Sequence, residues 1–220
     1  MGFAIEHRGA RGAPQVDPVW LRERLLPAAR AADVELGADA AAALAGYSEL
    51  LLGWNRRINL TGARTAEELS DLHLSDALAL IGQLPPEPGR LVDVGSGGGL
   101  PGVVLAVLRP DLEVTLLEPI QKKCAFLSTV RRELKLRNLR ELNQRLEEHL
   151  ALPDREQYAL AVSRATWPVA EWLERGRALV APGGLLFALE GRERSALPAG
   201  AERLPYRLGD RTRAMVRLRV

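Results

Sequence analysis

Apolar positions recur with two different periods along this chain, and the change of period divides it. From Pro18 to Ala32, Leu21, Leu25 and Ala28 fall three or four residues apart, the spacing of one helix face. Gly37 breaks that pattern, and Asp39 is placed to cap a second helix through Gly53, with Leu44, Tyr47, Leu51 and Trp54 on one face. Glu67 to Gln83 reads as a further helix. None of these segments carries a β-branched run. Pro85-Pro86-Glu87-Pro88-Gly89 interrupts the helical pattern. Beyond it, short apolar runs alternate with helical stretches. Strands are expected at 91–94, 113–118, 139–142, 158–162 and 185–189, with a closing pair over 201–220. Helices are expected at 103–108, 121–135 and 168–180, and a loop at 143–148. Alternating strands and helices predict an α/β fold with a largely parallel sheet. The organisation expected is a flexible extension over 1–16, a helical region over 17–84 and an α/β region over 89–220.

The first α/β unit holds the most informative stretch, Leu91-Val92-Asp93-Val94-Gly95-Ser96-Gly97-Gly98-Gly99-Leu100-Pro101-Gly102. A buried strand, four glycines within five positions and a proline opening an apolar helix make a nucleotide-binding turn. Two patterns fit it. Gly97-x-Gly99-x-x-Gly102 matches the dinucleotide fingerprint, and Asp93-x-Gly95-x-Gly97-x-Gly99 matches the acid-first turn of S-adenosylmethionine methyltransferases. A carboxylate beside the ligand repels a diphosphate and attracts the ammonium of a methionine moiety, so Asp93 favours the second. Glu118 ends the next strand 19 residues after Gly99, where a carboxylate grips ribose hydroxyls. Asp93, Glu118, Leu146, Glu147 and Arg164 all stand at expected strand ends, around one pocket.

Composition narrows this further. The chain has 220 residues, 47% of them hydrophobic, with net charge +2 and one cysteine, Cys124. One cysteine makes neither an internal disulfide nor a cysteine metal cluster. His73 and Asp76 share a helix face but lack a third ligand, so no metal is expected. No apolar run is long enough for a membrane span and no secretory signal reads from the first residues, so a cytoplasmic protein is expected. Basic residues crowd 131–140 and 207–219; such runs are usually solvated faces, with a nucleic-acid surface as the sharper alternative.

The chain resembles the ribosomal RNA small subunit methyltransferase G family, also called glucose-inhibited division protein B. The resemblance rests on Trp54-Asn55, Asn59-Leu60-Thr61, His73-x-x-Asp76, Asp93-Val94-Gly95-Ser96-Gly97, Gly99-Leu100-Pro101-Gly102, Lys122-Lys123 with Phe126-Leu127, Arg145-x-Glu147-Glu148 and Ser163-Arg164-Ala165. It implies a Rossmann-like class I methyltransferase fold, seven-stranded and mostly parallel, behind an N-terminal helical region. It implies methyl transfer from S-adenosyl-L-methionine to N7 of a guanosine in the 530 loop of 16S rRNA, guanosine 527 in the family. Carried over by position, Gly95, Gly97 and Leu100 contact the cofactor, Leu146 and Glu147 its adenine end, Glu118 its ribose, and Arg164 both cofactor and substrate as the catalytic group. A monomer acting on 16S rRNA within the small subunit or an assembly intermediate is implied. Three positions depart from the family pattern: Ala77 replaces a serine, Glu190-Gly191 a Lys-Gly pair, and Arg213-Ala214 an Arg-His pair. The rival readings are an RNA-binding assembly factor that keeps the fold without catalysis and a nicotinamide-dependent oxidoreductase.

Overall fold

The computed structural model describes residues 14–191 and 196–220. Most of the expected extension therefore lies outside the described residues. Val16 does not behave as an extension: it is buried, and its N–H donates to Glu49 Oε1 at 2.9 Å.

Helix α1 (Pro18–Ala31) starts where Asp17 accepts a hydrogen bond from the Val19 N–H and Pro18 takes the first turn. Helix α2 (Ala38–Asn55) is not capped by Asp39 as expected. Gly37 is the cap residue, and Asp39 sits inside the first turn, where its charge faces the positive end of the helix. The helix expected over 67–83 is α3 (Ala66–Leu69), a π turn (Ser70–Leu74) and α4 (Ser75–Ile81) in succession. An amphipathic pattern does not disclose one wider turn, and such turns concentrate at functional sites.

Seven strands follow: β1 (Gly89–Val94), β2 (Leu112–Leu117), β3 (Leu139–Leu142), β4 (Tyr158–Arg164), β5 (Val180–Leu189), β6 (Ala201–Leu208) and β7 (Arg211–Arg219). They form one sheet in the order β3-β2-β1-β4-β5-β7-β6. The first five are parallel, and β7 runs antiparallel to both β5 and β6. The connecting helices are α5 (Gly102–Leu108), α6 (Gln121–Glu133), α7 (Leu146–Leu150) and α8 (Val169–Gly176). Several bounds differ from expectation. β4 runs on through Ser163 and Arg164, and the helix after it ends at Gly176 in a short 3-10 turn. β5 begins at Val180 and carries Gly183 and Gly184 within a register shift. The expected loop 143–148 becomes helix α7 from Leu146 onward.

Both faces of the sheet are covered, which is why its central strands are apolar at nearly every position. Leu91, Leu116, Leu160 and Phe187 share one core with residues of α1, α2, α4, α5 and α6. Val92, Val94, Ala161 and Leu186 face Trp172 and Leu173 of α8 in the other. The first core runs without interruption from Leu21 to Met215, so the N-terminal helices and the sheet share it.

Candidate functional site

The strand order reverses between β1 and β4, and a cleft of about 670 Å³ opens there at the carboxyl ends of the strands. Five separated stretches line it, 60–62, the glycine turn from 94 to 100, 117–123, 144–147 and 164–167, together with His73 and Arg175.

The turn is held from several sides. Gly95 adopts φ +71°, and a side chain there would strike Thr166 from the loop after β4. From behind, the buried Tyr47 hydroxyl of α2 donates to the Gly98 carbonyl at 2.6 Å. Glu118 closes the open side. Its Oε2 accepts the Gly97 N–H at 2.8 Å and its Oε1 the Ile120 N–H at 2.9 Å. Each of those oxygens keeps a second lone pair at the cleft wall. Ser96 Oγ, also on that wall, is buried without a hydrogen-bond partner. Leu100 lines the cleft from the far end of the turn.

Asp93 corrects the expectation drawn from its place in the motif. Its side chain does not reach the cleft: it is fully buried on the face that packs against α5. Oδ2 accepts the Gly102 N–H at 2.9 Å, while Oδ1 has no hydrogen-bond partner. In a strand, side chains alternate sides, and this one points beneath the turn rather than out of its end. Burial raises its pKa to about 7, against the opposing pull of the Gly102 N–H and Arg164, and Glu118 adds a like charge. Asp93 thus ties β1 to the start of α5. A Cβ at Gly102 would collide with Leu116 Cδ2 and approach Asp93 Oδ2 to 2.8 Å. Gly102→Ala is expected to lower stability by about 2 kcal/mol, the scale of an overpacked core. Thermal unfolding should then occur roughly 4–8 °C lower. An unchanged melting temperature would contradict the tie.

Leu146 is buried at the cleft wall and Glu147 is exposed beside it. The Glu147 carboxylate is engaged by Arg175 Nη1 at 2.9 Å, and the same arginine reaches Glu171. Arg175 also lies over the Trp167 ring, which stacks on the buried Trp172 at 5.9 Å. Trp167 is therefore a half-buried wall of the cleft.

Arg164 ends β4 and enters the cleft beside His73 of the π turn, to which its Nη1 donates a hydrogen bond at Nδ1. Burial lowers the guanidinium pKa from its usual value, with Asp76, Tyr47 and Asp93 acting against that. Ala165 follows in a left-handed conformation, φ +55°, which is uncommon outside glycine and turns the chain sharply away from the strand. Ser163 Oγ donates to the Val94 carbonyl at 2.9 Å and fixes the end of β4 to β1.

The structure brings together Gly95, Gly97, Leu100, Glu118, Leu146, Glu147 and Arg164, and leaves Asp93 beneath them. Sequence reasoning missed Tyr47, Thr166 and Arg175, whose contacts join positions far apart in the chain. Asn55 serves its own loop: its amide donates to the Thr61 and Ala63 carbonyls and its oxygen accepts from the Leu60 and Thr61 N–H groups. The departure at Glu190 and the arginine beside the departure at Ala214 also have partners. Glu190 is buried in a two-pronged pair with Arg203 of β6, and Arg213 pairs with Asp76 at 3.0 Å.

The family described as rRNA small subunit methyltransferase G matches residues 40–204. A protein of Burkholderia ambifaria named ribosomal RNA small subunit methyltransferase G is 38% identical over 200 residues, 87% of each chain. A protein of the same name from Halorhodospira halophila is 44% identical over 158 residues, 72% of this chain and 73% of its own. Among solved structures, a hypothetical protein of Thermus thermophilus aligns with TM-score 0.56 and 23% identity, covering 74% of this chain and 94% of that one. The Escherichia coli methyltransferase candidate yhhF aligns with TM-score 0.52 and 16% identity, covering 66% and 86%. These two are likenesses of fold.

Proposed function

The chain belongs to the rRNA small subunit methyltransferase G family, and from that premise we propose that it transfers a methyl group from S-adenosylmethionine to N7 of one guanosine in 16S rRNA. It is an S-adenosylmethionine-dependent rRNA methyltransferase with the class I fold expected for the family. The guanosine implied by the family is number 527, in the 530 loop.

The residues present suit the cofactor. Glu118 offers free lone pairs to ribose hydroxyls, Ser96 Oγ is buried without a partner at the cleft wall, and Gly95, Gly97 and Leu100 line the turn. Leu146 and Glu147 line the cleft, and the family resemblance assigns them to the adenine end. The bound cofactor supplies an electrophilic methyl group on a sulfonium. Asp93 acts indirectly, by holding the turn against α5.

One observation carries the choice of target atom. The end of β4 and the turn after it, Ser163-Arg164-Ala165-Thr166-Trp167, hold no carboxylate or carboxamide, and their charged group at the cleft is the Arg164 guanidinium. An exocyclic amine benefits from an acceptor that orients its N–H groups. Guanine N7 has an in-plane lone pair and no proton, so it needs no base before attack. A guanidinium has only donors, which suit guanine O6 or a phosphate. Arg164 therefore positions the ring, and alignment is the main task left to the protein. The test is tritiated methyl transfer to small subunits lacking the modification, followed by mapping. The expected product cleaves at one site after borohydride and aniline treatment. A methylated but aniline-resistant product would place the methyl elsewhere, and no incorporation at all would favour an assembly factor.

The RNA-facing surface differs from the two basic runs in the sequence. In the first run, Arg131, Arg132 and Arg140 pair with Glu141, Glu133 and Glu156. That run also starts near the far end of α6, roughly 12 Å along the helix from Lys123 at the cleft. In the second, Arg213 and Arg217 pair with Asp76 and Glu202. Lys123 and Arg145 line the cleft, and Arg57 and Arg64 flank the loop that supplies Leu60 to Gly62. Among the described residues these four form no ion pair within 4.0 Å. They are the proposed phosphate contacts, and the helical region 17–84 contributes half of them. RNA affinity should fall with salt at a log–log slope of about −0.7 per phosphate contact. Arg57→Ala should flatten that slope by about 0.7 while Arg132→Ala leaves it alone. Equal slopes for both variants would refute this placement. A monomer acting in the cytoplasm on the small subunit, or on an intermediate of its assembly, completes the proposal. No helix among the described residues is long and apolar enough to cross a membrane.

A further inference from the structure

The motif His73-x-x-Asp76 takes no part in the steps above. Its two side chains have different surroundings. Asp76 is buried, with Oδ1 accepting the Tyr206 hydroxyl at 2.7 Å and Oδ2 facing Arg213 at 3.0 Å. His73, on the π turn, reaches the cleft wall and meets Arg164. Because a guanidinium can only donate, His73 Nδ1 must accept, and the ring proton of the neutral imidazole sits on Nε2. The charged groups acting on the ring are Arg164 of β4 and Arg213 of β7. Burial, reinforced by these two charges, holds its pKa at about 3, so the ring stays neutral through the working range.

The chemistry of that acceptor matters. A carboxylate in the place of His73 would form a fork with Arg164 and neutralise it. A cationic imidazole would repel it. A neutral nitrogen fixes the direction of the guanidinium and leaves its charge for the substrate. We propose that His73 is a positioning residue: its unprotonated Nδ1 aims Arg164 across the cleft toward guanine or its phosphate, while Tyr206 and Arg213 keep the Asp76 carboxylate in a separate pair. The proposal rests on the reading of Arg164 as the substrate-facing group of an rRNA methyltransferase.

Two measurements test it, one of which needs no activity. Nitrogen-15 spectra of the ligand-free protein between pH 5 and 8 should show His73 as a non-titrating Nε2–H tautomer. In Arg164→Ala its titration should move up toward the ordinary histidine range. A wild-type ring that carries its proton on Nδ1, or that titrates within this window, overturns the proposal. In methyl transfer, His73→Phe keeps the ring volume without the acceptor and should lower kcat about tenfold, the scale of one hydrogen bond to a charged group. The KM for the cofactor should stay within about twofold. His73→Asn, which places an oxygen near Nδ1, should recover most of the rate. If Asn is as slow as Phe, or Phe is as fast as wild type, His73 does not aim Arg164. If the wild type transfers no methyl to rRNA, the functional reading fails, and the spectra still decide whether His73 orients the arginine.

Discussion

Arg164→Ala should lower methyl transfer to the small subunit by about ten- to a hundredfold, the loss expected for one two-pronged contact worth roughly 1–3 kcal/mol. Arg164 leaves β4 at the reversal point of the sheet, its backbone fixed by the strand pairing and its guanidinium by His73. Ser163 anchors the preceding position to Val94, and Ala165 turns the chain away at once. A side chain held this firmly has little freedom left to lose when substrate arrives, which favours rate over affinity. Arg164→Lys keeps the charge but not the planar fork, so it should recover only part of the rate. Binding of S-adenosylhomocysteine, measured by calorimetry, separates a loss at the cofactor from a loss at the base. Wild-type turnover in the alanine variant would remove Arg164 from the reaction and the argument for N7 with it.

Asp93 should make the protein less stable as pH rises from 4 to 7. The unfolded chain releases this proton near pH 3.8, whereas the folded protein keeps it until about pH 7. Between those values the folded state binds more protons, so stability falls with rising pH. The full span corresponds to roughly 4 kcal/mol at most. Asp93→Asn keeps an oxygen for the Gly102 N–H and has no proton to lose. Urea unfolding at several pH values should show the wild type losing its advantage over Asp93→Asn across this window. A constant difference between the two proteins would mean that Asp93 is already ionised beneath the turn.

Much of this was readable in advance, for physical reasons. The strands around 91, 114 and 160 announce themselves because a sheet covered on both faces needs apolar residues at consecutive positions. The glycine turn is legible because few other residues tolerate its backbone. Helix α7 was hidden because five residues make little more than one turn, too few for a period to emerge. The apolar pattern ends β4 early because its last residues, Ser163 and Arg164, are polar, yet the pairing with β5 continues through them. At the site, the sequence placed Glu118 and Arg164 at strand ends but could not tell which way Asp93 faces. The contacts of Tyr47 with Gly98 and of His73 with Arg164 span 51 and 91 residues, and no local pattern encodes them. The basic runs say little by themselves, because a count of arginines does not see the carboxylates that Arg131 and Arg140 meet, Glu141 and Glu156.

The hydrogen bond from Tyr47 to the Gly98 carbonyl has a bearing on how this chain can be divided and recombined. Leu51 packs against the same glycine, where any Cβ would come within 2.8 Å of its methyl group, and no residue of α2 lines the cleft. The floor of the turn is thus built by one half of the polypeptide and its ceiling by the other. The proline run at 85–88 looks like a place to cut, yet a fragment beginning at Gly89 would carry a glycine turn with nothing beneath it and a sheet face stripped of α1, α2 and α4. A chimera that takes its helical region from a relative must bring matching partners for Gly98 at positions 47, 51 and 60, or redesign the turn to suit. The smallest transplantable unit is the helices together with the sheet they roof.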